Sequence, residues 1–134
     1  MDSFRSWILL LAAVLICSGC ALKEVIPFKI LQSEGEQALS AGVKSYEEGK
    51  YKEASGLLTE ALRKGLSGKT DQVKAHKYLA FIYCVTGQKK KCTSEFRAAF
   101  KIDPKFDLQP TEAGHPIWGP VFRDVKASMT RSEY

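Results

Sequence analysis

The sequence is poor in the features that usually announce chemistry. It has two histidines, His76 and His115, and they are too far apart in the chain to give a recognisable metal-ligand spacing with the four cysteines. It has no nucleophile motif, no glycine-rich phosphate loop and no pair of carboxylates at a catalytic spacing, so nothing points to an enzyme. Strand-like alternation between hairpin turns is missing, which excludes a β-rich domain. One long apolar run exists, Trp7 to Cys17 (WILLLAAVLIC), and it is short. A helix of about eleven residues rises roughly 16 Å, about half the hydrocarbon thickness of a bilayer, so the run does not span comfortably.

What is there begins with that run. Arg5 and a free amino terminus precede it and the small residues Ser18 and Gly19 follow, the pattern of a secretory signal peptide. Cys20 comes next. Signal peptidases have shallow pockets before the cut, and Ser18-Gly19-Cys20 supplies small residues there with a thiol just after. This stretch resembles the bacterial lipobox, with Cys17 standing where leucine is commonest. The resemblance implies cleavage after Gly19, a diacylglycerol thioether on Cys20 and an acyl chain on the new amino terminus. Beyond these covalent lipids no cofactor is expected. It also implies a lipoprotein of the bacterial cell envelope, and Ala21, where a retention aspartate would stand, favours the outer membrane, facing the periplasm. Buried methylenes at about 0.8 kcal/mol each would hold such an anchor.

The formal charge of +5 is moderately basic. For an exported lipoprotein this speaks against nucleic acid and leaves anionic lipid or an acidic partner. Lys89-Lys90-Lys91 is the densest basic spot, read either as a solvated turn or as a contact with lipid or partner.

The chain divides into a signal peptide (1–19), a lipidated tether (20–32), two helix pairs (33–104) and a Pro/Gly-rich connection with a capping helix (105–134). From Ser33, Leu39, Val43 and Tyr46 recur at helical spacing up to Gly49. A second helix carries Tyr51, Ala54, Leu57, Leu58, Ala61 and Leu62 on one face, followed by a loop, GLSGKT. A third is expected from about Asp71 to Thr86, and a fourth from about Lys89 to Ile102, stopped at Asp103-Pro104. In HPIWGPVFRDVKAS a last helix places Ile117, Trp118, Val121, Phe122 and Val125 on one face. The residues before it are expected to turn Phe106 and Leu108 inward. Trp118 is either a core anchor, the default, or a partner contact. The fold expected is all-α.

The two helix pairs repeat. Gly49 aligns with Gly87, Ala54 with Cys92, Leu58 with Phe96, Ala61 with Ala99 and Gly42 with Ala80, an offset of about 38 residues. A small residue in each first helix (Gly42, Ala80) faces a small one in the second (Ala54, Cys92), while larger residues fill the flanks. This spacing, with Tyr83 and Pro104 in place, resembles the tetratricopeptide repeat over residues 35–104; His76 stands where that family most often has tryptophan.

With Cys17 removed and Cys20 lipidated, Cys84 and Cys92 remain, in an oxidising compartment. They lie at equal distances from a turn at Gly87-Gln88, so facing positions and a disulfide are expected, against the alternative of two free thiols used as small core residues.

The repeat resemblance implies a concave groove lined by the first helix of each pair: Leu39, Val43, Tyr46 and Glu47, then Lys74, Lys77, Phe81 and Val85. Lys74 and Lys77 could meet a carboxylate, but Phe81 stands where carboxylate-clamp members carry asparagine, so an apolar helix or extended peptide of another envelope protein fits better. The function expected is a membrane-anchored interaction scaffold or assembly factor for envelope machinery, such as a pilus, secretion or outer-membrane assembly system. The alternatives are a structural envelope lipoprotein whose groove is filled by its own C-terminal segment, and a binder of an apolar ligand.

Overall fold

The computed structural model describes residues 32–131. The order is α1 (Glu34–Glu47), α2 (Tyr51–Lys64), α3 (Lys69–Val85), α4 (Lys89–Ile102), a short α5 (Pro110–Ala113) and α6 (Trp118–Arg131), with no strand among the described residues. α1 packs on α2 and α3 on α4 as two close antiparallel pairs, and α6 closes the end against α4.

Local chemistry explains the helix ends. Ser33 caps α1: its hydroxyl accepts from the Glu36 N–H at 3.2 Å, and the Glu36 carboxylate accepts from the Ser33 N–H at 3.0 Å. Both hairpins turn on a glycine with left-handed backbone, Gly49 (φ 74) and Gly87 (φ 77), where a Cβ would be strained. α4 starts at Lys89 and ends at Ile102 as the sequence pattern predicts. α3 starts two residues before the expected Asp71, because Gly68 in an extended conformation already serves as its N-cap. The last helix starts at Trp118, so Ile117 falls outside it and is 49% exposed instead of sharing the buried face. The shift follows from the turn before it, where the Gly119 N–H donates to the His115 carbonyl at 2.9 Å.

Two apolar clusters hold the domain. One joins Leu39, Ala54, Leu58, Ala61, Leu66, Ala75, Leu79 and Ile82. The larger one gathers Phe81, Cys84, Cys92, Phe96 and Phe100 with Phe106, Leu108, Trp118, Phe122 and Val125. α3 serves both, so it is apolar around most of its circumference, and Tyr46, Tyr78 and Tyr83 pack against both clusters. Phe106 and Leu108 do turn inward, and Trp118 is buried.

Small residues sit where the paired helices come closest. A Cβ added to Gly42 would lie 2.8 Å from Leu58 Cγ, a contact real side chains do not make. The matching positions of the second pair, Ala80 and Cys92, are fully buried. Cys92 is joined to Cys84 by a disulfide across the turn, with Cα atoms 5.2 Å apart. The first hairpin has a polar counterpart: the buried Ser45 hydroxyl donates to Glu53 Oε1 at 2.9 Å, again across eight residues.

Candidate functional site

The eight predicted groove residues come from α1 and α3, and the structure divides them into three groups. Leu39 and Phe81 are in the core, Phe81 being 2% exposed. Val43, Tyr46, Lys77 and Val85 are half-buried. Glu47 and Lys74 are exposed. Leu39 is covered because it packs in the cluster that α1 shares with α2 and α3. Phe81 is covered by a segment far away in the sequence: Trp118 stacks on it with ring centroids 4.3 Å apart.

The residues after α4 occupy the α3 half of the predicted groove. Glu112, on α5, accepts from Lys77 Nζ at 2.6 Å. The Lys77 ammonium also lies 4.9 Å from the Tyr78 ring centre and 5.7 Å from that of Phe81, within cation–π reach. Trp118 donates its indole N–H to the Glu112 carbonyl at 2.8 Å, and the His115 ring stacks on Trp118 at 3.3 Å. Short α5 forms because Pro110 stands at its first position and Glu112 reaches back to accept from the Gln109 N–H. Beside it, a cleft of about 360 Å³ remains between α3 (Thr70, Val73, Lys74) and the connection (Asp103, Phe106, Asp107).

On the α1 half, Tyr46 is the centre. Its ring lies 5.0 Å from Tyr78 on α3, 5.8 Å from Tyr51 at the start of α2, and 6.3 Å from Phe81. Burial pushes the Tyr46 hydroxyl up to about 12, with the neighbouring tyrosines Tyr51 and Tyr78 and the Glu112 carboxylate adding to the effect. Tyr78 is raised as well, by burial first and then by Glu112 and Glu47. Both rings remain part-exposed, and Tyr51 is exposed, so Tyr46, Tyr51 and Tyr78 form an aromatic patch that the C-terminal segment leaves uncovered.

Sequence reading missed four members of this region: Tyr51 and Tyr78 as patch rings, and Glu112 and His115 as parts of the cover. Tyr78 follows Lys77 directly and carried a signal, since tyrosine, an apolar ring with a polar tip, is enriched at interfaces. Glu112 and His115 carried none, because the connection has no helical period.

His76, half-buried, faces Glu95 on α4 through Nδ1 at 2.7 Å and ties α3 to α4. Among the described residues no group of three or more His, Cys, Asp or Glu side chains could hold a metal, and no helix is long and apolar enough to cross a membrane. Cys20 lies outside the described residues. No protein-family model, curated protein or solved structure matches this chain.

Proposed function

We propose that the chain is a lipoprotein of the bacterial cell envelope, lipidated on Cys20 and held at the outer membrane facing the periplasm. Its tetratricopeptide-like helix pairs then serve as a docking module for another envelope protein during assembly of envelope machinery. The lipobox-like Leu15-Ile16-Cys17-Ser18-Gly19-Cys20 supports the anchor. The paired helices, with Gly49 and Gly87 in the same left-handed turn, support the repeat reading. The observation that carries the docking role is the aromatic patch of Tyr46, Tyr51 and Tyr78, which among the described residues the C-terminal segment leaves uncovered. Part-exposed tyrosines give large contact area at low entropy cost and are favoured at interfaces.

A second reading has its own support. Trp118 on Phe81 and Glu112 on Lys77 fill the α3 half of the inner face, as expected for a structural lipoprotein whose groove is self-occupied. Crosslinking followed by purification of the lipidated protein separates the two. Under the docking reading, a defined partner is retained by Thr59→Arg on the outer face of α2 and lost on Tyr46→Arg; identical partners for both variants favour the structural reading. Intact mass tests the anchor, which is refuted if residue 20 carries no acyl mass.

A further inference from the structure

The up-down-up-down order of α1 to α4 brings both hairpin turns to one end of the domain. That end carries six exposed lysines: Lys44, Lys50 and Lys52 around the first turn, and Lys89, Lys90 and Lys91 after the second. Three glutamates, Glu47, Glu48 and Glu53, share it. Glu48 is engaged by Lys50 at 2.8 Å and, more distantly, by Lys44 at 4.0 Å, while Glu53 accepts from Ser45. Among the described residues, Lys52, Lys89, Lys90 and Lys91 have no acidic partner; Lys91 instead lies 5.2 Å from the Tyr83 ring centre.

The placement of Lys89 to Lys91 runs against helix electrostatics. They fill the first turn of α4, where the backbone N–H groups already present positive charge, with no acid in that turn and no side-chain cap. A sequence shaped only for stability would carry acids there, as α1 does with Glu34 and Glu36. By the dipole rule this placement costs the first turn of α4 stability rather than adding to it.

We infer that this lysine end docks on an anionic lipid bilayer, as a second contact independent of any anchor at Cys20. The chemistry of the cations favours lipid over an acidic protein. Neither turn nor the flanking residues (44–53 and 86–92) include an arginine, the side chain suited to bidentate, geometrically specific recognition. Lysine ammoniums on flexible stems act as hydrated point charges, which suits a diffuse array of lipid phosphates.

The test uses residues 31–134, which form a compact unit containing both apolar clusters and carry no lipid. Sedimentation with vesicles of phosphatidylglycerol and phosphatidylethanolamine should pellet the protein at low salt and release it at high salt. The triple variant Lys89→Glu, Lys90→Glu, Lys91→Glu should weaken partitioning by more than about a hundredfold, since losing each lysine costs about fivefold and each new carboxylate adds repulsion. A control with the same net charge, Lys69→Glu, Lys101→Glu, Lys105→Glu, alters exposed lysines at the opposite end and should retain most of the binding. No partitioning, equal loss in both triple variants, or equal binding to phosphatidylcholine vesicles overturns the proposal. So does binding to polyglutamate in preference to the anionic vesicles, which would make the partner an acidic protein. All altered side chains are exposed, and thermal unfolding of each variant verifies that it folds.

Discussion

Trp118 lies flat against Phe81, with ring centroids 4.3 Å apart, and so fastens the C-terminal segment to the inner face of α3. The same indole donates to the Glu112 carbonyl and stacks on His115, so one side chain joins α3, the connection and α6. Trp118→Ala should cost about 3–5 kcal/mol, the range for removing a large buried aromatic. Trp7 is the sole other tryptophan, so in the domain from residue 31 onward fluorescence reports Trp118 alone. Urea unfolding should show a red shift of its emission concurrent with loss of helix; a red shift well ahead of helix loss would mean that the segment detaches on its own.

Lys77 and Glu112 are 16% and 21% exposed and form the polar part of the same junction. Removing either partner leaves the other charge half-desolvated. Lys77→Met and Glu112→Gln should each destabilise by roughly 1–2 kcal/mol, with a coupling near 1 kcal/mol in the double-mutant cycle. A coupling near zero would place the pair with ordinary surface ion pairs.

The Cys84–Cys92 disulfide closes a short loop in a hairpin already held by packing. Replacing both with alanine should lower stability by about 2 kcal/mol, less than a long-loop bridge would give. Alkylation of the unfolded, unreduced protein checks the bond directly, since it should label neither cysteine. The close approach in the first hairpin is tested by Gly42→Ala, whose Cβ would meet Leu58. It should cost about 1–3 kcal/mol, because Leu58 is fully buried and has little room to move.

Tyr46 makes the domain sensitive to alkali. Its hydroxyl is raised from 10 to about 12, so the unfolded chain releases this proton before the folded one does. Between those values the unfolded state binds fewer protons, and stability therefore falls as pH rises; below 10 the contribution is fully present. With the ring only half-buried, about 1 kcal/mol is at stake after discounting for solvent. Urea midpoints at pH 8 and pH 11 should fall further for the native protein than for Tyr46→Phe. Equal falls would contradict the desolvated hydroxyl.

Much of the fold was readable because glycine and proline punctuate it. Gly49, Gly87 and Asp103-Pro104 end their helices where the pattern places them, and the equal distances of Cys84 and Cys92 from the turn brought them face to face. The cover over Phe81 and Lys77 was not readable. It is made by residues 105–118, whose short α5 and single turn before Trp118 carry no apolar period, and whose partners lie some thirty to forty residues earlier. Helical spacing told which residues share a face of α3, and it is blind to what a distant segment lays upon that face. Ile117 missed the buried face for the same local reason: one turn bonded at His115 and Gly119 sets the register of α6.

The proposed docking role rests on the patch around Tyr46, and a photo-crosslinking residue placed there tests it most directly. If the proposal holds, irradiation of the chain expressed in a bacterial cell should give one discrete adduct with an envelope protein from position 46, and none from position 59 on the outer face of α2. No adduct from position 46, or the same adducts from both positions, would contradict the account.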